Sequence, residues 1–188
     1  CSSDLAAFDA NTGKEAWRTY TTAAPGEPGG DTWPAGDAYK NGGGSVWITG
    51  SYDPATNIAY WGTGNPAPWP TEGRVGDNLY STSVVALDVD SGKIKGHHQY
   101  HHNDAWDWDE VSAPVLIDTE INGRKVKGAV HAGRAGRLPG LALPADALLR
   151  GRAAVRAAAA ARHWLVLLAR SAAAPARATT GASRLRSE

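Results

Sequence analysis

Methionine is absent from the 188 residues, and cysteine occurs once, as Cys1. Without Met, position 1 does not read as a translation start, and we expect an internal piece or a processed chain. A lone thiol excludes an internal disulfide and a cysteine-built metal site within this sequence. No charged-then-apolar leader with a small-residue cleavage site opens the chain. Nor does any apolar run approach the roughly 20 residues that span a bilayer; Trp164 to Ala169 is far too short. Net charge is also missing, but only on average. Residues 1–133 carry nine Lys or Arg against seventeen Asp or Glu, whereas residues 134–188 carry ten Arg, no Lys and two acids. Seven of the eight tryptophans lie in the first part. The chain is therefore two sequences of different character.

The first part consists of short strands punctuated by turn signals. Leu5–Asp9 runs into Asn11-Thr12-Gly13-Lys14, and Glu15–Tyr20 returns. Ser45–Gly50 and Ile58–Gly62 flank Tyr52–Asn57; Ser83–Asp88 turns at Asp90-Ser91-Gly92-Lys93; Val115–Asp118 and Lys125–Val130 flank Asn122-Gly123. Successive hairpins with no amphipathic helix predict antiparallel β-structure. One unit repeats at a spacing of 79 residues: Ala-x-Asp-x-x-(Thr/Ser)-Gly-Lys begins at Ala7 and again at Ala86. Repetition of a hairpin unit is the mark of a propeller or solenoid, and this spacing leaves room for an elaborated blade with long loops.

Three segments carry residues suited to chemistry. Gly42-Gly43-Gly44-Ser45-Val46-Trp47 is a glycine-lined loop beside an indole. It is no nucleotide loop, since no Gly-Lys-Ser/Thr and no helix follow. Its glycines would let a flat group approach the backbone, or simply make a tight turn before a strand. Trp61-Gly62-Thr63-Gly64-Asn65-Pro66-Ala67-Pro68-Trp69 places Asn65 at a strand end, where its amide oxygen suits a hard cation; an Asn-Pro turn is the plainer reading. Asn103-Asp104-Ala105-Trp106-Asp107-Trp108-Asp109-Glu110 holds four carboxylates, which repel unless a cation or solvent relieves them. If that segment is extended, Asp107 and Asp109 share a face about 7 Å apart.

In this order the three segments resemble the methanol/ethanol family of pyrroloquinoline-quinone (PQQ) dehydrogenases, as do Gly30-Asp31-Thr32-Trp33-Pro34 and Arg74-Val75-Gly76-Asp77-Asn78-Leu79-Tyr80. The Ala-x-Asp-x-x-Thr-Gly-x-x-x-Trp unit at 7–17 is similar to that family's tryptophan docking motif, in which the Trp is implied to wedge between blades. Gly96 stands in the Trp place of the second copy, which puts that contact in doubt. The resemblance runs from about Leu5 to Gly136. It implies an all-β, partial eight-bladed β-propeller of about three blades over residues 1–136. Residues 137–188 are expected to be a non-homologous Ala/Arg-rich tail, out of frame, disordered or helical.

The resemblance also implies roles. Trp47 matches the indole beneath the PQQ ring and Ser45 a hydroxyl contacting the cofactor. Asn65 matches a ligand of the active-site metal, Asp107 the catalytic base at that metal, and Arg134 an arginine near the quinone oxygens. Asp109 holds the place where lanthanide-dependent members carry an additional carboxylate ligand and Ca2+-dependent members do not. The family's Asp before that Arg is Gly133 here, and its Asn after it is Ala135. Its glutamate ligand is expected upstream of Cys1, and its vicinal disulfide pair and later blades also lie outside this sequence. The implied activity is oxidation of a primary alcohol to an aldehyde with PQQ and Ca2+ or a lanthanide ion. Electrons would pass to a cytochrome c-type acceptor in the periplasm. A non-catalytic propeller scaffold would share the docking repeats but would not need Trp47, Asn65, Asp107 and Arg134 together.

His97-His98-Gln99-Tyr100-His101-His102 raises a zinc reading, which strand alternation disfavours because successive rings face opposite ways. From Gly133 onward the β pattern vanishes. Ala153–Ala161 is helix-prone by propensity but has no apolar stripe. The ten arginines of residues 134–188 would suit nucleic-acid phosphates, yet the loss of every lysine and nearly every acid matches a shifted frame of GC-rich DNA. We expect independent sequencing of the genomic DNA to show that a single-base correction after about Gly136 restores a strand. An intact frame would make the tail genuine.

Overall fold

The computed structural model describes residues 3–121, 123–134 and 140–143. They form three antiparallel sheets in chain order. Strands β1 (Asp4–Phe8) and β2 (Glu15–Tyr20) make the first. The second is a four-stranded meander, β3 (Ser51–Asp53), β4 (Ile58–Gly62), β5 (Ser83–Asp88) and β6 (Ile94–Gln99). The third comprises β7 (Val115–Ile121), β8 (Arg124–Val130) and β9 (Gly140–Leu143). Long loops leave β2 and β4, as the wide repeat spacing requires.

Strand β5 explains why the sheets stack. Its Val-Val-Ala-Leu run is buried on both faces, unlike the one-sided alternation of a solvated antiparallel strand. Val85 and Leu87 join Ala23 and Tyr80 in a core that Leu5, Leu79 and Ile94 flank. Val84 and Ala86 point the other way, packing with Ile58 and Tyr60 toward Leu116 and Tyr100. The middle sheet is thus apolar toward both neighbours. Complete burial of each Val or Leu contributes about 1.5–3 kcal/mol.

The two repeat units fold alike down to single hydrogen bonds. Asp9 Oδ1 accepts from the amide of Thr12 at 2.7 Å and from its hydroxyl at 2.8 Å; Asp88 Oδ1 accepts from the amide of Ser91 at 2.9 Å and from its hydroxyl at 2.7 Å. The following glycines, Gly13 and Gly92, take left-handed φ values of 70° and 68° and each donates to its Asp carbonyl at 2.8 Å. Both strand pairs slip register at the matching place, between Ala7 and Phe8 and between Ala86 and Leu87. Trp17, on the first sheet, lies against Gly92 of the second and donates Nε1–H to the Val89 carbonyl at 2.9 Å. Thr19 adds a 2.6 Å bond to the Gly92 carbonyl. Gly96 lies buried opposite Ala86, with no indole to extend.

Strand β9 departs from the expected loss of β-structure after Gly133. It pairs with β8 from Val130↔Gly140 to Lys127↔Leu143. The open edge of β8 presents unpaired amides and carbonyls, and ladder bonds recruit a strand there without a strong apolar period. The helix-prone stretch 153–161 lies outside the described residues.

These turns generate a paired prediction. A Cβ at Gly92 would overlap the Trp17 ring, whereas one at Gly13 would meet open space. In the complete propeller carrying this segment, Gly92→Ala should cost about 2–4 kcal/mol, from the left-handed backbone plus overpacking, and Gly13→Ala only about 1–2 kcal/mol. Urea denaturation of both variants measures the difference. Hydrogen bonds from the Thr12 and Ser91 side chains also hold the Asp9 and Asp88 carboxyls below the usual carboxylate range. Each turn's contribution is therefore present at neutral pH and lost as pH falls through the folded-state value.

Candidate active site

The site begins with two segments laid side by side. Gly43 bridges Pro66, Gly44 N–H donates to the Asn65 carbonyl at 2.7 Å, and Gly64 N–H donates to the Ser45 carbonyl at 2.9 Å. This gives the glycine run a more specific purpose than admitting a flat ligand. A Cβ on Gly43 would overlap the Pro66–Ala67 backbone, so what approaches there is the chain's own Asn65 segment. The result places Ser45 beside Asn65. Two residues on, Trp47 has 61% of its surface exposed, leaving an indole open to a flat partner.

The acidic segment supplies the opposite wall. Asp109 Oδ1 accepts from the Asn65 amide at 2.9 Å, and a Cβ on Gly64 would sit 2.6 Å from that oxygen and 3.1 Å from Ser45 Oγ. Arg134 closes the group: its Nη1 lies 3.9 Å from Asp109 Oδ2 and donates to the Asp107 carbonyl at 3.4 Å. The segments that carry Ser45, Asn65, Asp109 and Arg134 therefore meet from positions 89 residues apart in sequence, with the Asp107 backbone at their edge.

The extended geometry expected for Asp107 and Asp109 is not found. Asp107 has φ 59°, in the left-handed region, so the segment turns rather than alternating. The backbone follows local hydrogen bonds: Asp104 accepts from the amides of Trp106 at 2.9 Å and Trp108 at 2.8 Å. Asp107 points outward and exposed, while Asp109 is largely covered.

Nor do the four carboxylates repel as a solvated cluster. Asp104 is buried against those two amides. Glu110, buried at 1% exposure, receives His101 Nε2 at 2.7 Å, His131 Nε2 at 2.6 Å and the Arg134 amide at 3.1 Å. Although burial opposes it, these partners hold the Glu110 carboxyl below the usual carboxylate range. Only Asp107 and Asp109 remain to serve a cation.

The histidine run separates as strand alternation requires. His97 meets the edge of Tyr80, His98 the edge of Tyr100, His101 binds Glu110, and His102 lies 3.4 Å from Asp77. Among the described residues no group of three or more His, Cys, Asp or Glu is arranged to hold a metal. A zinc site on these histidines has no support.

Sequence reasoning missed the residue that joins the two walls. Arg74 is fully buried and spends all five N–H donors: Nε on Pro68 O at 2.5 Å, Nη1 on Asn78 Oδ1 and Asn103 Oδ1 at 2.8 Å each, Nη2 on Trp69 O at 2.8 Å and on Asp104 O. Its motif was legible at 74–80; its function as a clamp was not, because the acceptors lie as many as 30 residues away.

The residues fit the groups that the sequence resemblance implies. The amide nitrogen of Asn65 is given to the Pro66 carbonyl at 3.1 Å, which directs its oxygen elsewhere. Asn65 and Asp109 offer oxygens, the donor type a hard cation takes, and the exposed Asp107 carboxylate lies two residues from Asp109. The exposed Trp47 face suits a planar ring.

Comparison with known proteins decides the family. The family described as "Glucose/ethanol/alcohol dehydrogenase, beta-propeller domain" (PQQ) matches residues 1–138. The chain belongs to this PQQ dehydrogenase β-propeller family. Quinoprotein alcohol dehydrogenase PedH of Pseudomonas putida is 48% identical over 111 residues, covering 59% of this chain and 18% of that protein. Methanol dehydrogenase (cytochrome c) subunit 1 of Methylorubrum extorquens is 35% identical over 151 residues, covering 70% and 24%. A solved structure, a europium-containing methanol dehydrogenase, superposes with a TM-score of 0.65 at 32% identity, covering 73% of this chain and 29% of the other. The chain thus spans about a fifth to a quarter of these relatives' length. Its three sheets are parts of propeller blades.

The clamp is testable in the complete propeller. Arg74→Lys replaces five fixed donors by three and leaves buried carbonyls unpaired. We expect a loss of about 3–5 kcal/mol, as for other broken buried charge networks, read from the urea midpoint.

Proposed function

We propose that the complete protein oxidises a primary alcohol to an aldehyde with PQQ and an active-site metal, passing electrons to a cytochrome c-type acceptor in the periplasm. The observation that carries this reading is the meeting of the Ser45, Asn65, Asp109 and Arg134 segments, with Asp107 bound to Arg134 through its carbonyl and the exposed Trp47 two residues beyond Ser45. A propeller serving only as a scaffold has no need of that convergence. The relatives named as alcohol and methanol dehydrogenases support the activity, and one named with cytochrome c supports the acceptor.

When bound, the quinone supplies the two-electron acceptor and the metal the Lewis acid. The chain's own residues do the rest. Asp107, an exposed carboxylate at the mouth, takes the alcohol's hydroxyl proton as general base. Arg134 places a guanidinium where negative charge develops on oxygen. Ser45 and Trp47 hold the cofactor by hydroxyl contact and by stacking. Asn65 and Asp109, joined by the 2.9 Å backbone bond, present oxygens to the metal together with Asp107.

The metal is a lanthanide in preference to calcium. Asp109 adds a second carboxylate beside Asp107, and attraction to a cation scales with the product of charges, which favours a trivalent ion. The europium-containing neighbour supports that choice. The experiment is reconstitution of the metal-free complete enzyme, once with calcium and once with lanthanum, followed by assay of alcohol oxidation. We expect activity with lanthanum that Asp109→Ala removes. Full activity with calcium and none gained with lanthanum overturns the metal assignment, and no activity with either overturns the enzyme reading.

A further inference from the structure

We propose that Asp104 is a positioning residue that fixes the direction of the Asp107 carboxylate; this rests on the reading of Asp107 as the base. The 105–106 and 107–108 peptide units, one on each side of the Asp107 amide, are held by one side chain. Asp104 Oδ1 accepts from the Trp106 amide at 2.9 Å and Oδ2 from the Trp108 amide at 2.8 Å, so the carboxylate brackets residue 107. Between those fixed amides Asp107 adopts φ 59°, a conformation that residues with a Cβ avoid unless their surroundings impose it. The consequence is directional. Asp104 and Glu110 turn into the protein, whereas Asp107 turns out to the mouth of the site.

Asp104 is itself anchored. It is 4% exposed, and its carbonyl accepts from Arg74 Nη2, while Oδ1 of the preceding Asn103 accepts from Arg74 Nη1 at 2.8 Å. The same guanidinium binds the carbonyls of Pro68 and Trp69, on the loop that leaves Asn65. Arg74 therefore sets the height of the acidic loop against the Asn65 loop, and Asp104 converts that anchor into a fixed orientation at Asp107. Asp104 touches neither Asn65, Arg134 nor Trp47 through any hydrogen bond among the described residues. Its side chain acts on turnover through the 106–108 segment that it holds, in which residue 107 is the base.

The test is a double-mutant cycle in the complete holoenzyme: Asp104→Ala, Asp107→Asn and the pair, with Asp104→Asn as the milder change. Steady-state kcat and KM for the alcohol, PQQ and metal content per protein, and the thermal midpoint are read for each. We expect Asp104→Ala to lower kcat per bound PQQ by about 100-fold, the penalty of a misdirected catalytic group, with KM changed less than about threefold by the same reasoning. Asp104→Asn, which retains one acceptor oxygen, should fall between. In the Asp107→Asn background, Asp104→Ala should lower the residual rate no further.

Several outcomes overturn the proposal. One is a wild-type kcat per bound PQQ in Asp104→Ala, even if cofactor or stability is lost. Another is an equal further loss in the Asp107→Asn background. If Asp104→Ala does not fold, Asp104→Asn is judged by the same criteria, and its failure to fold assigns Asp104 to stability alone. Turnover near wild type in Asp107→Asn removes the base assignment itself, and the positioning role with it. An inactive Asp107→Asn beside an unimpaired Asp104→Ala removes only the positioning role.

Discussion

The buried guanidinium of Arg74 is the interaction on which the arrangement of the site depends. A charge carried out of water without partners is costly, and an arginine has five N–H groups to satisfy. Here the acceptors come from the turn at 68–69, from Asn78 and from the loop at 103–104. Burial pushes Arg74 down from its ordinary value and the nearby Asp104 carboxylate pushes it back. The charge can be accommodated only when all three segments are in place. Folding of the Asn65 loop and of the acidic loop is thereby tied to one event.

Stacking of the sheets works by a different principle. Strand β5 sends alternate apolar side chains into two separate cores, so the middle sheet has no solvated face. The Asp-x-x-(Thr/Ser)-Gly turn completes the contact between the first two sheets, because only a glycine leaves room for the Trp17 ring. Directional bonds from Trp17 to Val89 and from Thr19 to Gly92 then select one relative position of the sheets. Apolar burial supplies the attraction, and the hairpin turn supplies the register.

The acidic loop shows how one short sequence sorts identical groups into different tasks. Four carboxylates in seven residues would repel in a common environment. Two are hydrogen-bonded inside: Asp104 by amides, Glu110 by two imidazoles and an amide. Asp109 is held half way, one oxygen on the Asn65 amide. Asp107 alone is left open. The protein's hydrogen-bond donors, rather than the loop's composition, set this division.

Much was legible in the sequence. The hairpins (apart from a strand expected at Ser45–Gly50 that is found at Ser51–Asp53), the repeat at Ala7 and Ala86, and the glycine positions follow from local chemistry, since a left-handed turn residue and an Asp–Thr or Asp–Ser bond need only a few neighbours. The candidate residues Ser45, Trp47, Asn65, Asp107, Asp109 and Arg134 were also legible, as motifs in a fixed order. Pattern failed in two ways: it made the acidic segment extended where Asp104 turns it through amides two and four residues on, and it ended β-structure at Gly133 and left Arg74 and Glu110 without tasks because their partners are distant. Side-chain identity determines which groups are present and which turns they favour. Only the tertiary fold decides which carboxylate is buried and which faces the site, because the imidazoles and the guanidinium arrive from other strands and loops, even though the amides on Asp104 come from its own loop.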